Sequence, residues 1–83
     1  MIYQVLYKTS VTKDLRTIDK GDIGKIIDDV EKEIAKDPGE GVQLNGEFEG
    51  FYSHGIGTYR VIYGILGDSI LVLRITLCDT EKE

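Results

Sequence analysis

The stretch that decides the fold runs from residue 59 to residue 77 and reads YRVIYGILGDSILVLRITL. Two apolar runs rich in β-branched residues flank Gly67-Asp68, and glycine supplies the positive φ that a tight hairpin turn requires. A third such run ends at Ile56 and is separated from the second by Gly57-Thr58. The spacing predicts an antiparallel meander of three strands, which span Phe51 to Ile56, Tyr59 to Leu66 and Ser69 to Leu77.

The last of these strands predicts how the sheet is buried. Because successive side chains of a strand point to opposite faces, residues two apart share a face. We expect one face to pack against the core and the other to be partly hydrated. The packed set would be Leu71, Leu73, Ile75 and Leu77, alternating with Val72, Arg74 and Thr76.

The N-terminal half predicts one strand and two helices. Residues 2 to 7 are apolar and aromatic without Gly or Pro, which is typical of a strand. Ser10 is a suitable N-cap for a short helix over residues 11 to 17, and Asp19 can cap a longer helix that ends before Pro38. The longer helix carries one apolar stripe at helical spacing, formed by Ile23, Ile26, Ile27, Val30 and Ile34.

The segment from residue 39 to residue 50 contains four glycines and is expected to be a connecting loop. Three apolar side chains interrupt its polar and glycine positions. We expect Val42, Leu44 and Phe48 to hold this loop against the core.

The element order is β-α-α-β-β-β, which predicts an α+β fold in a single domain over residues 1 to 83. The two helices, within residues 11 to 36, are expected to form an αα-hairpin. This hairpin would pack on one face of a mostly antiparallel sheet of four strands. We expect Arg60 on a central strand and the first strand beside one of the meander strands.

Composition excludes several classes of protein. Of the 83 residues 41% are apolar and 30% charged, which is typical of a soluble globular domain. Cys78 is the only cysteine, so neither a disulfide framework nor a cysteine-based zinc site is expected, and we predict no cofactor and no metal. No apolar run approaches the roughly 20 residues that span a bilayer. We therefore expect no membrane association and a cytoplasmic location.

The net charge of −5 is unevenly distributed. Residues 28 to 49 carry eight acidic and two basic side chains, whereas residues 1 to 27 carry five basic and three acidic ones. An acidic surface repels nucleic acid at long range, although a local basic face can still bind it. Any contact with nucleic acid would therefore depend on a local group of cations.

Three segments carry a family resemblance. They read LNGEFEGFY at residues 44 to 52, GTYRVIY at residues 57 to 63 and LVLRI at residues 71 to 75. They resemble the loop with Leu-x-Gly, the Gly-Leu-Tyr strand, the Tyr-Arg-Val-Ile-Tyr strand and the closing Val-Leu-Arg-Ile strand of the RelE/ParE superfamily of type II toxin-antitoxin modules. The resemblance extends over about residues 2 to 76. It implies a RelE-like fold and a toxin domain of the kind associated with plasmid stabilization.

Ribonuclease members of this superfamily cut mRNA in the ribosomal A site, and the resemblance implies that such activity would rest mainly on Arg60. Attack of a 2′-hydroxyl on the adjacent phosphate needs a base, an acid and cations that stabilise the phosphorane. Arg60 matches the arginine of the family's central strand. Other basic positions of the family are occupied here by Gln43, Asn45 and Gly55, and LCDT at residues 77 to 80 replaces a basic turn.

Three residues are candidates for a catalytic site: Arg60, His54 and Arg74. Arg60 and Arg74 would supply positive charge, and the competing interpretation of each is a structural ion pair. His54 is the only histidine and titrates nearest to neutrality, although a lone histidine on a strand is often only a surface residue. If strand alternation puts Tyr52 and His54 on one face, both could lie near Arg60 across the hairpin.

Two classes of function remain open. One is an endoribonuclease, a RelE-like mRNA interferase with an incomplete catalytic set. The other is a binding protein, either a ParE-like toxin that inhibits DNA gyrase or an inactive homologue that retains only its antitoxin contact. The resemblance implies a cognate antitoxin as partner, in a dimer or a heterotetramer. The target would be mRNA on the ribosome in the first class and DNA gyrase in the ParE-like case.

Overall fold

The computed structural model describes residues 3–46 and 49–77. None of the helices in this part of the chain is long and apolar enough to cross a membrane. In chain order the elements are β1 (Gln4–Tyr7), α1 (Thr9–Arg16), α2 (Lys20–Asp29), a π-helical turn (Val30–Ile34), a 3-10 turn (Pro38–Glu40), β2 (Val42–Gln43), β3 (Tyr52–Ile56), β4 (Tyr59–Leu66) and β5 (Ser69–Leu77).

The strands form one sheet in the order β1-β5-β4-β3-β2. β1 is parallel to β5, and all other neighbours are antiparallel. The α+β fold, the meander and the central position of Arg60 in β4 are confirmed. The sheet has five strands where four were predicted, because Val42–Gln43 pairs with β3. A strand of two residues is too short to show the alternation by which a sequence reveals strands.

The helical layer lies on one face of the sheet, as the apolar stripe predicts. Ile26, Val30 and Ile34 are almost fully buried and share one core with Val72 of β5. The α-helix ends at Asp29 and continues as a π-helical turn, in which Val30 and Ile34 stay buried. Ile23 and Ile27 of the stripe are half-buried. Burying an aliphatic side chain of this size contributes roughly 1.5–3 kcal/mol, so this layer is a main source of stability.

The two helix starts differ in how well the sequence predicts them. α2 begins after Asp19, as expected, whereas α1 begins at Thr9, so the predicted N-cap at Ser10 is wrong. The Ser10 hydroxyl instead donates to the carbonyl oxygen of Leu73 (Oγ to O, 2.6 Å). β1 pairs with β5 only as far as Val72, and α1 follows along the same edge. Ser10 therefore satisfies an edge group that β1 leaves unpaired.

A bulge in β5 reverses its alternation. Ile62 pairs with Arg74 and Tyr63 pairs with Val72, which leaves Leu73 without a partner in β4. Before the bulge the even-numbered side chains face the helices, so the predicted packing of Leu71 and Leu73 is wrong. Leu77 pairs with Tyr59 on the helix-packed side but is 67% exposed where the strand ends, so its predicted packing is wrong as well. The buried side chains of β5 are Ile70, Val72 and Ile75.

Tyr63 anchors the segment that leads from the helical layer to β2. Its hydroxyl donates to the carbonyl oxygen of Pro38 (Oη to O, 2.5 Å), and the ring is fully buried. Burial raises the pKa of Tyr63 to about 12. Gly41 passes so close to the Tyr63 hydroxyl that a Cβ there would overlap with its oxygen. Glycine is therefore required at this position by close packing.

The apolar side chains expected to hold the connecting loop have different outcomes. Val42 is 69% exposed, so its predicted contact with the core is wrong. It pairs with Ser53 of β3, and β2 is the edge strand of the sheet, so the described residues leave its side chain open to solvent. Leu44 is half-buried, and Phe48 lies outside the described residues.

Candidate functional site on the open sheet face

The strand register divides the sheet into two faces. Val61 is fully buried under the helical layer, and its neighbour Arg60 therefore points to the opposite side. We call this opposite side the open face and the helix-packed side the covered face. Arg60 is exposed on the open face between Gly55 of β3 and Thr76 of β5. The central strand thus presents a cation on the side that the helices do not cover.

Arg74 lies on the same open face. It pairs with Ile62, two residues along β4 from Arg60, so the two arginines are diagonal neighbours about 7–8 Å apart. None of the five strands in the described part of the chain contains Asp or Glu. The sheet itself therefore carries only positive charge, although the net charge of the chain is −5.

Asp14 of α1 holds Arg74. The Nε and Nη2 atoms of Arg74 each donate to one carboxylate oxygen, both at 2.9 Å. The Arg74 hydrogen bond holds the pKa of Asp14 below its usual value, partial burial opposes this shift, and the backbone N–H of Ile75 supports it. The same pair raises the pKa of Arg74. Both groups are therefore charged at neutral pH, and the structural interpretation of Arg74 has direct geometric support.

His54 lies on the covered face, away from Arg60. It pairs with Val61, whereas Arg60 pairs with Gly55, so the hairpin register sets His54 and Arg60 on opposite sides. Tyr52 does share a face with His54, but that face is the covered one. The expectation that these two side chains lie near Arg60 is therefore wrong, because the two-residue turn at Gly57-Thr58 pairs Ile56 with Tyr59 and so sets His54 opposite Val61.

The tyrosines of the strands also lie on the covered face. The rings of Tyr52 and Tyr63 stack with centroids 5.6 Å apart. The Tyr59 hydroxyl donates to Asp22 of α2 (Oη to Oδ2, 3.2 Å), and burial together with this acidic neighbour raises the pKa of Tyr59. Tyr7 pairs with the buried Val72. These tyrosines therefore lie on the side of the helical layer, and none in the described strands provides a base-stacking surface on the open face.

The open face offers charge stabilisation without an acid-base pair. The guanidinium of Arg60 can stabilise the negative charge that develops on a phosphate. His54, the only histidine of the sequence, is on the other face. Within residues 3–46 and 49–77 there is no group of three or more His, Cys, Asp or Glu side chains that could hold a metal ion. The open face thus provides a cation that can stabilise phosphate charge, and its described residues provide no acid or base beside it.

Asp14 is a partner of a candidate site residue that the sequence alone did not reveal. In the sequence it is one acid among the mixed charges of residues 1 to 27, with no motif around it. Its contact with Arg74 joins residues 60 positions apart. A contact at that distance depends on α1 lying beside β5, so no local pattern could reveal it.

Several solved structures have the same fold. One is a chain of the toxin-antitoxin complex RelBE2 from Mycobacterium tuberculosis, with a TM-score of 0.87 and 24% identity over 93% of this chain and 99% of that chain. Another is the E. coli toxin RelE in complex with a peptide of the antitoxin RelBc, with a TM-score of 0.77 and 16% identity over 99% of this chain and 90% of that one. A chain of the chromosomal ParDE system from P. aeruginosa has a TM-score of 0.76 and 15% identity, over 94% of this chain and 98% of that one.

The likeness is carried by the backbone rather than by sequence identity. No family model matches the sequence, and no curated protein matches it. The structural matches nevertheless cover almost the whole of both chains. They confirm, at the level of the fold, the resemblance that the three sequence segments indicated. The chain has the fold of the RelE and ParE toxins of toxin-antitoxin systems.

Proposed function

We propose that this chain is the toxin of a type II toxin-antitoxin module and that its target is mRNA on the ribosome. The toxin assignment is supported by the fold, which matches RelE along nearly the whole of both chains. The neighbours that support it include toxins bound to antitoxins. A cognate antitoxin is therefore the proposed partner, in a dimer or a heterotetramer.

The observation that carries the RNA target is the position of Arg60. It is exposed on the central strand of a sheet whose described strands bear no acidic side chain. Its neighbour across β3 is Gly55, which has no side chain to block the approach of a phosphate. Salt screens charges beyond about 10 Å at 0.1 M, so the distant acidic groups weaken this local attraction only in part.

In the proposed reaction, the 2′-hydroxyl of one nucleotide attacks its own 3′-phosphate and the bond to the next 5′-oxygen breaks. Arg60 would hold the charge that develops on the non-bridging phosphate oxygens. The described residues of the open face supply no base for the 2′-hydroxyl and no acid for the leaving oxygen. Acid-base groups typically contribute about 10²–10⁴-fold to such reactions. We therefore expect cleavage that depends on Arg60 and is slow.

The antitoxin contact is proposed to be mainly apolar. Leu6 and Leu66 are 41% and 57% exposed, and the register places both on the open face. Exposed apolar side chains on one face of a sheet offer area for an apolar contact. The acidic segment of residues 28 to 40 would repel an acidic antitoxin segment. We expect the antitoxin affinity to change little with ionic strength, and a steep fall would contradict this charge distribution.

A second candidate function is binding without catalysis. It is favoured by the separation of the candidate residues, because Asp14 engages Arg74 and the register turns His54 away from Arg60. In this case the chain would inhibit DNA gyrase as a ParE-like toxin or would only bind its antitoxin. The fold does not discriminate, since the RelE and ParDE matches have TM-scores of 0.77 and 0.76.

The test is expression of the chain alone, with growth as the readout and mapping of mRNA ends. Arg60→Ala should lower cleavage by about 10²–10³-fold, the effect of removing one group that stabilises transition-state charge. Arg16→Ala is the matched control, because it removes an exposed arginine from α1 and should leave cleavage unchanged. Growth arrest without new mRNA ends but with a block in DNA supercoiling would support the ParE-like function instead.

A further inference from the structure

The open face contains a second arginine whose best hydrogen-bonding edge is already in use. Asp14 accepts from Nε and Nη2 of Arg74, which is the planar two-donor edge that also binds phosphate oxygens in pairs. A carboxylate on that edge and a phosphate on that edge exclude each other. Arg60 is a diagonal neighbour of Arg74 on the same face, so a strand of RNA at Arg60 lies within reach of the contested edge.

We propose that Asp14 is an intrachain competitor of RNA phosphate for Arg74 and so limits the affinity of the open face for RNA. The inference rests on the proposed RNA target. The wild-type chain then binds the phosphodiester backbone through Arg60, and Arg74 contributes only when its bond to Asp14 opens. Asp14 is a regulating residue in this proposal and does not itself contact RNA.

The carboxylate is fixed more firmly than the guanidinium it binds. The Asp14 side chain is 12% exposed, and its Oδ2 also accepts from the backbone N–H of Ile75 at 3.0 Å. The Arg74 side chain is 48% exposed. Arg74 can therefore leave the pair by side-chain rotation alone, while Asp14 stays bound to the edge of β5. Asp14 can therefore keep Arg74 from phosphate and remain in place when Arg74 leaves it.

The experiment measures binding of a fluorescent single-stranded oligouridylate over a range of salt concentrations. Asp14→Asn should raise the affinity about fivefold at about 0.1 M salt. A plot of the logarithm of the association constant against the logarithm of the salt concentration should also become steeper by about 0.7, the amount expected for one additional phosphate contact on a single strand. Asparagine keeps an oxygen that can accept from the Ile75 backbone, so the edge of β5 stays satisfied.

Two variants separate this effect from a change of net charge. Asp28→Asn changes the net charge equally and also breaks an ion pair, since Asp28 lies 3.4 Å from Lys32 on the exposed side of the helical layer. It should change the RNA affinity less than twofold. The double variant Asp14→Asn with Arg74→Gln removes the pair without a change of net charge and should bind RNA as the wild-type chain does.

The outcomes distinguish the role of Asp14 from the RNA target on which it rests. An equal gain in Asp28→Asn, or a gain that persists in the double variant, overturns the role of Asp14. RNA binding that needs Arg60 but does not improve in Asp14→Asn overturns this inference and leaves the proposed function intact. Absence of RNA binding by every chain overturns both. If Asp14→Asn does not fold, Arg74→Gln alone decides the question, and a loss of affinity as large as that in Arg60→Ala would show that Arg74 already binds RNA and overturns the inference.

Discussion

The covered and open faces of the sheet are built from the same strands and have opposite properties. Every second side chain of β4 is buried or half-buried under the helical layer, while the residues between them face away from it. Residues that set stability and residues available for binding therefore alternate one by one along the chain. The covered face includes Val61, Tyr63, Ile70 and Val72, each 0% exposed, and the open face includes Arg60, Arg74 and Leu66.

The largest effect on stability should come from the covered face. Ile70→Ala should lower the free energy of unfolding by about 2–5 kcal/mol, because it leaves a cavity in a fully buried part of the core. Leu66→Ala is the matched change on the open face and should cost at most about 0.5 kcal/mol, since Leu66 is 57% exposed. Urea unfolding measures both. Similar losses in the two variants would mean that the faces do not differ as described.

The open face does not tolerate added side-chain volume equally at every position, as two of its glycines show. A Cβ on Gly64 would lie 2.9 Å from the Phe51 ring, so Gly64→Ala should cost about 1–3 kcal/mol through overpacking. Gly55 lies on the same face, and a Cβ there would meet nothing within 4 Å in the described part of the chain. Gly55→Ala should therefore cost at most about 0.5 kcal/mol. Thermal unfolding compares the two. A tolerated Gly64→Ala would show that Phe51 moves aside easily.

Tyr63 tests whether the covered face depends on its buried hydroxyl. Tyr63→Phe should cost about 1–3 kcal/mol, because the carbonyl of Pro38 loses its donor. Since burial raises the pKa of Tyr63 to about 12 from 10.0, the stability linked to this proton is complete below pH 10 and is lost as the pH rises toward 12. Tyr63→Phe should lose less stability over that range than the wild-type chain. Equal losses would assign the alkaline transition to other groups.

Much of the fold follows from local sequence signals. The bounds of β4 and β5 agree with the prediction because Gly57 and Gly67 have the positive φ that the turns require, 60° and 61°. Ile26, Val30 and Ile34 of the apolar stripe are buried because the period of a helix puts residues three and four positions apart on one side.

What the sequence did not reveal depends on register and on long-range contacts. Residues 70 to 73 are all apolar, so they could not indicate the bulge at Leu73. The opposite faces of Arg60 and His54, by contrast, follow from the two-residue turn at Gly57-Thr58, which pairs Ile56 with Tyr59. The partner of Arg74 is supplied by a helix 60 positions earlier. The candidate site was therefore predicted as single residues, and their arrangement came from the fold.

The smallest effect concerns Asp14, which joins the margins of both faces. Arg74 holds the pKa of Asp14 below its ordinary value of 3.8, so the folded state is stabilised above that pH and loses this contribution as the pH falls through the lowered pKa. Because Arg74 is 48% exposed, Asp14→Asn should cost about 1 kcal/mol or less at pH 7. The difference between the two chains in urea unfolding should shrink as the pH falls below 3.8, since protonated aspartic acid and asparagine are both neutral.

Asp28→Asn, which breaks only an exposed helical pair, controls for the loss of an acidic side chain. A difference that stays constant down to about pH 2, where carboxylates are protonated, would mean that Asp14→Asn acts through the packing of the new amide group rather than through the loss of the carboxylate charge.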